Sequence, residues 1–111
     1  MKIAIPLAGG KLTMHFGHCE KFALIETNPD DRIIGKEELT PPPHEPGVLP
    51  KWLGEMGVNL IIAGGMGMRA QEIFSEYNVK VITGAQPDLP ENIVAAYFAG
   101  TLAVGANACD H

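Results

Sequence analysis

Six consecutive residues, Met14-His15-Phe16-Gly17-His18-Cys19, carry a thioether, two imidazoles and a thiol. Imidazole and soft sulfur together suit zinc, copper or iron, whereas hard cations take oxygen ligands. The spacing H-x-x-H-C matches no standard zinc pattern, and adjacent side chains such as His18 and Cys19 usually point apart. The run reads either as part of a transition-metal site or as a turn with Phe16 in the core, Gly17 at positive φ and the histidines in solvent. Two other places hold groups of ligand type. His44 sits in Pro41-Pro42-Pro43-His44-Glu45-Pro46-Gly47, where proline would present the imidazole at low entropic cost. Cys109-Asp110-His111 could complete a site begun by the first run, or be a free tail.

A second kind of chemistry belongs to Gly64-Gly65-Met66-Gly67-Met68-Arg69-Ala70, which stands between a strand pattern and a helix pattern. It contains G-x-G-x-x-A, the dinucleotide fingerprint in its expected local context. The ribose-binding carboxylate expected about 20 residues later is missing, because the next strand ends Val81-Ile82-Thr83-Gly84. What remains is more general. Backbone N–H groups at a helix N-terminus favour an anion, and Arg69 would add charge. The plain alternative is a tight strand-to-helix turn in which glycine serves close packing.

Other catalytic patterns fail residue by residue. Gly9-Gly10-Lys11-Leu12 lacks the leading glycine of a phosphate loop, since that position is Ile5, and Leu12 stands where Ser or Thr is needed. No G-x-S-x-G occurs, and the single serine, Ser75, has no base beside it. The first strand, Lys2–Leu7, carries no acid for a paired-carboxylate nuclease. No complete catalytic constellation emerges, and the chain reads as non-enzymatic.

The elements that must position these groups follow from apolar periodicity. Lys2–Leu7 reads as a buried strand, and Lys21–Thr27 with Arg32–Thr40 as an antiparallel hairpin about Asn28-Pro29-Asp30-Asp31. Val48, Leu49, Trp52, Leu53 and Met56 recur at helical spacing. Val58–Ala63 and Val79–Thr83 read as strands. Ala70, Ile73, Phe74 and Tyr77 mark a helix between them, and Ile93, Val94, Tyr97 and Phe98 mark a last one, with Pro90 in its first turn. The order is βββαβαβα, which needs a mixed sheet with right-handed crossovers in its parallel part. Residues 102–111 carry no clear pattern. The chain is expected to form one domain over residues 1–111.

Composition narrows the partners. Thirteen acidic against eight basic residues leave a net charge of −5 and no basic cluster, so a phosphate-tracking surface for nucleic acid is not expected. No run reaches the ~20 predominantly apolar residues of a membrane span, and the first residues do not form a signal peptide. With only two cysteines, free thiols in the cytoplasm are expected.

Together, Ile3-Ala4-Ile5-Pro6, His15-Phe16-Gly17 before Phe22–Glu26, and Leu60-Ile61-Ile62-Ala63-Gly64-Gly65-Met66-Gly67 with a closing helix before Gly100 resemble the dinitrogenase iron–molybdenum cofactor-binding domain family. The likeness runs over about residues 1–102. Pro42-Pro43-His44-Glu45-Pro46-Gly47, Pro50, Trp52-Leu53 and the Cys-Asp-His end look like the branch that includes the small orange protein, which is associated with a mixed molybdenum–copper sulfide cluster. The resemblance implies a ribonuclease H-like α/β fold: a five-stranded mixed sheet of order 3-2-1-4-5 with strand two antiparallel. It also implies a carrier or assembly role for a molybdenum-containing metal–sulfur cluster, of Mo–Cu sulfide or iron–molybdenum type, with P-loop ATPases or cofactor-assembly proteins as partners. His15 matches the family's histidine near the cluster. The assignment of His18, Cys19 and His44 as ligands rests on chemistry and proximity.

The expectation is therefore a cluster carrier in which Phe16, Gly17, Gly64, Gly65, Met66, Gly67 and Arg69 shape the binding site and His15, His18, Cys19 and His44 are the metal-ligand candidates. A preformed cluster brings its own sulfides, so the protein need not supply a four-cysteine cage. Two rival readings are a protein–protein docking or regulatory module without metal, and a nucleotide- or small-anion-binding subunit built on Gly64–Gly67.

Overall fold

Alternation along Lys2–Ala8 (β1) divides the core into two halves. Ile3, Ile5 and Leu7 join Ala23, Ile25, Leu60 and Ile62 in one buried cluster, while Ala4 joins Phe22, Ile61 and Ala63 in another. A strand with helices over both faces requires that division, because successive side chains point to opposite sides. Helices complete each half. Ile93 and Val94 close the first cluster; Leu49, Leu53 and Phe74 close the second. The result is three layers, helix on sheet on helices.

The computed structural model of the chain describes residues 1–43, 45 and 47–105. After β1 come β2 (Lys11–Leu12), a 3-10 turn (Phe16–His18), β3 (Lys21–Thr27), β4 (Ile33–Leu39), α1 (Val48–Glu55), β5 (Leu60–Ile62), α2 (Met68–Glu76), β6 (Lys80–Ile82) and α3 (Pro90–Ala99). The sheet is mixed and runs β4-β3-β1-β5-β6, with β2 also paired to β1. β3 is antiparallel to both β1 and β4, and β5 is parallel to β1 and β6. Asn28 organises the β3–β4 turn by accepting the N–H groups of Asp30 and Arg32 on its side-chain oxygen, each at 3.0 Å.

The sheet has six strands where the sequence led us to expect five. The extra one is β2, which folds back on β1 to pair Leu7 with Leu12 and Ala8 with Lys11. Gly9 and Gly10 both hold positive φ, 63° and 81°. Two successive left-handed residues make the tight turn that suits a two-residue hairpin. A two-residue strand is too short to show periodicity, yet it buries Leu12. The five strands of the continuous path keep the expected 3-2-1-4-5 order.

The start of the expected C-terminal tail proves to be tied down. Val104 forms an antiparallel bridge with Ala85, and the Gly105 N–H donates to the Gly84 carbonyl at 2.8 Å. Gly84 has φ +85°, and a Cβ there would lie 2.1 Å from the Gly105 carbonyl oxygen, so only glycine fits. Among the described residues no helix is long and apolar enough to cross a membrane.

Candidate functional site

The segment after β1 and β2 and the turn after β5 meet at the C-terminal end of the sheet's parallel part, where α/β proteins place ligands. Between them and the starts of α1 and α2 lies a cleft of about 720 Å³. His15, Phe16, Gly17 and His18 form one wall; Gly65, Met66, Gly67, Arg69 and Ala70 form another. Glu45, Gly47, Leu49 and Pro50, at the entry to α1, complete it.

Phe16 fixes the first wall. Its side chain is 6% exposed and packs edge-to-face on Phe22 and Phe74, each at 5.7 Å between ring centroids. With the phenyl ring buried, the residues before and after it turn outward. His15 and His18 are three apart, one turn of a 3-10 helix, and therefore share a side. Their rings stand 5.9 Å apart at 72°, both exposed at the cleft. Gly17 lies inside this turn and is absent from the residues of positive φ, so the turn does not need glycine for a left-handed conformation.

The two walls are bonded together. The Phe16 N–H donates to the Gly65 carbonyl at 3.0 Å. Gly64 lies so close to the preceding loop that a Cβ there would stand 2.8 Å from Met14 Cα. Gly64 is thus a packing glycine, and Gly65 and Met66 are buried behind it. Gly67 is the N-cap of α2, with φ −68° and ψ 158°, a conformation open to any residue.

Both helices that open onto the cleft do so by their N-termini. Neither has a side-chain cap or an acidic residue in its first turn. At α1 the Val48 N–H already donates to the Glu45 carbonyl and Pro50 has no N–H, so that helix offers mainly its dipole; the start of α2 and the positive ends of the two dipoles favour an anion. The Arg69 side chain is 83% exposed, and its contact with Glu72 at 3.9 Å is too solvated to hold it.

Cys19 does not line the cleft. It packs partly buried against the cluster that contains Phe16 and Phe22, and burial pushes its thiol up to about 11. Since thiolate is the ligating form, this position disfavours ligation. His44 and Cys109-Asp110-His111 lie outside the described residues. Ala70 belongs to the glycine-rich motif, but nothing in the sequence pointed to Leu49 or Pro50 as cleft residues; the Pro46-Gly47 step just before a helical pattern is the signal that could have marked a helix mouth there.

The profile of the dinitrogenase iron–molybdenum cofactor family matches residues 1–100. The chain belongs to that family. The uncharacterized protein MJ0580 of Methanocaldococcus jannaschii is 34% identical over 98 residues, 84% of this chain and 82% of that protein. The crystal structure of PH0822 superposes with a TM-score of 0.89 at 24% identity, over 100% of both chains. The apo form of the orange protein from Desulfovibrio gigas superposes with a TM-score of 0.76 at 17% identity, over 96% of this chain and 93% of that one. These likenesses establish the fold.

As a member of the dinitrogenase iron–molybdenum cofactor family, the chain offers its cleft an unusual donor set. Among the described residues no three His, Cys, Asp or Glu side chains converge as a metal cage. Two imidazoles alone under-coordinate a bare transition-metal ion. They suffice for a ligand that already carries its own anionic donors, and the walls made by Phe16, Leu49, Pro50, Met66 and Ala70 suit a weakly hydrated surface.

Proposed function

We propose that the chain is a small non-enzymatic carrier whose cargo is an anionic, molybdenum-containing metal–sulfur cluster held in this cleft. The observation that carries the reading is the placement of the His15–His18 pair across from two helix N-termini with no acid in their first turns, in a chain of a cofactor family. His15 and His18 are the proposed protein ligands, and the amides of Gly65 and Gly67 with Arg69 offset the cluster's charge, while Met66 shapes the wall between them. Phe16, Gly17 and Gly64 hold the walls. Cys19 belongs to the packing. His44 stays a candidate ligand on its place in the chain next to Glu45, which lines the cleft.

A Mo–Cu sulfide cluster is the first cargo to test, on the sequence resemblance of Pro42–Gly47 to the orange protein's branch, and the order of the continuous strand path supports the ribonuclease H-like description. The proposal keeps the cytoplasm as location, with cofactor-assembly proteins or P-loop ATPases as partners. Thermal unfolding with tetrathiomolybdate and copper(I), with phosphate, and with ATP tests it. A rise in Tm with the thiometallate alone is the expected result. A rise only with ATP or phosphate favours the nucleotide or small-anion reading, and no rise with any of them favours a docking module.

A further inference from the structure

One residue bordering the cleft was not marked by its chemistry in the sequence. The Gln71 side chain, half-buried on α2, donates from Nε2 to the Met66 carbonyl at 3.0 Å. Its backbone N–H donates to the Gly67 carbonyl at 3.2 Å. A carbonyl only accepts, so the amide nitrogen must face Met66. Gln71 therefore grips two consecutive carbonyls at the mouth of α2.

A trans peptide points its C=O and N–H in opposite directions. With the Met66 carbonyl drawn back over α2, the N–H of Gly67 in the same peptide is turned away from the helix, and Gly67 lines the cleft. Holding the Gly67 carbonyl along the helix likewise turns out the N–H of Met68. The side chain that does this is neutral. An acid near this end would favour the dipole, yet α2 has none in its first turn. Glutamine supplies the clamp without placing negative charge beside an anionic guest.

We propose that Gln71 is a positioning residue: its side-chain amide locks the Met66–Gly67 peptide so that the Gly67 N–H is presented to an anion in the cleft. This rests on the carrier reading. Gln71→Leu removes the clamp at unchanged charge, in a residue of good helix propensity. Gln71→Glu removes the donor and adds a charge that favours the helix.

The test is titration of parent, Gln71→Leu and Gln71→Glu with tetrathiomolybdate and copper(I), with Tm of each unliganded protein. The expected result is affinity about five- to tenfold weaker for Gln71→Leu, the scale of one hydrogen bond, and weaker still for Gln71→Glu. The unliganded Tm of Gln71→Glu should equal or exceed the parent's, which a merely structural role does not predict. If the parent binds and both variants bind as it does, or if affinity is lost only in step with Tm, Gln71 has no positioning role. If the parent itself takes up no thiometallate, the carrier reading fails and takes this proposal with it.

Discussion

The Phe16 N–H donates to the Gly65 carbonyl at 3.0 Å, and this one bond joins the histidine loop to the glycine-rich turn. Because Phe16 is also wedged between Phe22 and Phe74, its neighbours on the surface inherit a fixed position from the core.

Phe16→Ala is therefore expected to cost about 3–5 kcal/mol, the usual range for a buried phenyl ring. Denaturant unfolding measures it. A change near zero would show that the ring does not anchor the loop.

His15→Ala should separate binding from stability. The imidazole is exposed, so unfolding free energy should move by less than about 0.5 kcal/mol. Uptake of tetrathiomolybdate with copper(I) should fall in the same variant. Equal affinity in mutant and parent would remove His15 from the ligand set.

The glycines of the turn should divide by role. Gly64→Ala places a methyl 2.8 Å from Met14 Cα, against backbone that must shift, and should destabilise by about 1–3 kcal/mol. Gly67→Ala meets no forbidden φ, and should cost about 1 kcal/mol as a changed N-cap while crowding the cleft. Unfolding and ligand titration on both variants read the contrast. The opposite pattern, with Gly64→Ala benign in folding and Gly67→Ala severe, contradicts it.

Cys19 makes a pH prediction. Burial raises its thiol from 9.0 to about 11, so the folded state holds the proton that the unfolded chain releases first. Unfolding then gains from ionisation as pH rises, and stability contributed by the buried thiol is complete below pH 9 and lost between pH 9 and about 11. The difference between parent and Cys19→Ala unfolding profiles isolates it from other titrating groups. A flat difference across that window would place the thiol in solvent.

Much of this was legible because periodicity is a strong signal. The unbroken apolar run Ile3-Ala4-Ile5, as in a strand buried on both faces, and the helical spacing of Ile93, Val94 and Tyr97 announce the layers. The Gly9-Gly10 pair could have announced β2, since it is a hairpin signature, but two paired residues leave no pattern beyond it. The His15–His18 pair was readable from residue type and spacing. The fate of Cys19 was not, because adjacency to His18 says nothing of which side chain the core takes. Gln71 was equally hidden: a clamp on a carbonyl of a preceding turn depends on helix direction at the cleft, which no local motif records.

The central claim is tested most directly by the visible absorption of the full chain after addition of tetrathiomolybdate and copper(I) and removal of unbound reagent by desalting. The carrier reading predicts a charge-transfer band that stays with the parent protein at a fixed molybdenum-to-protein ratio and is lost in the His15→Ala, His18→Ala double variant. A band that washes away from the parent, or that persists equally in the double variant, would contradict it.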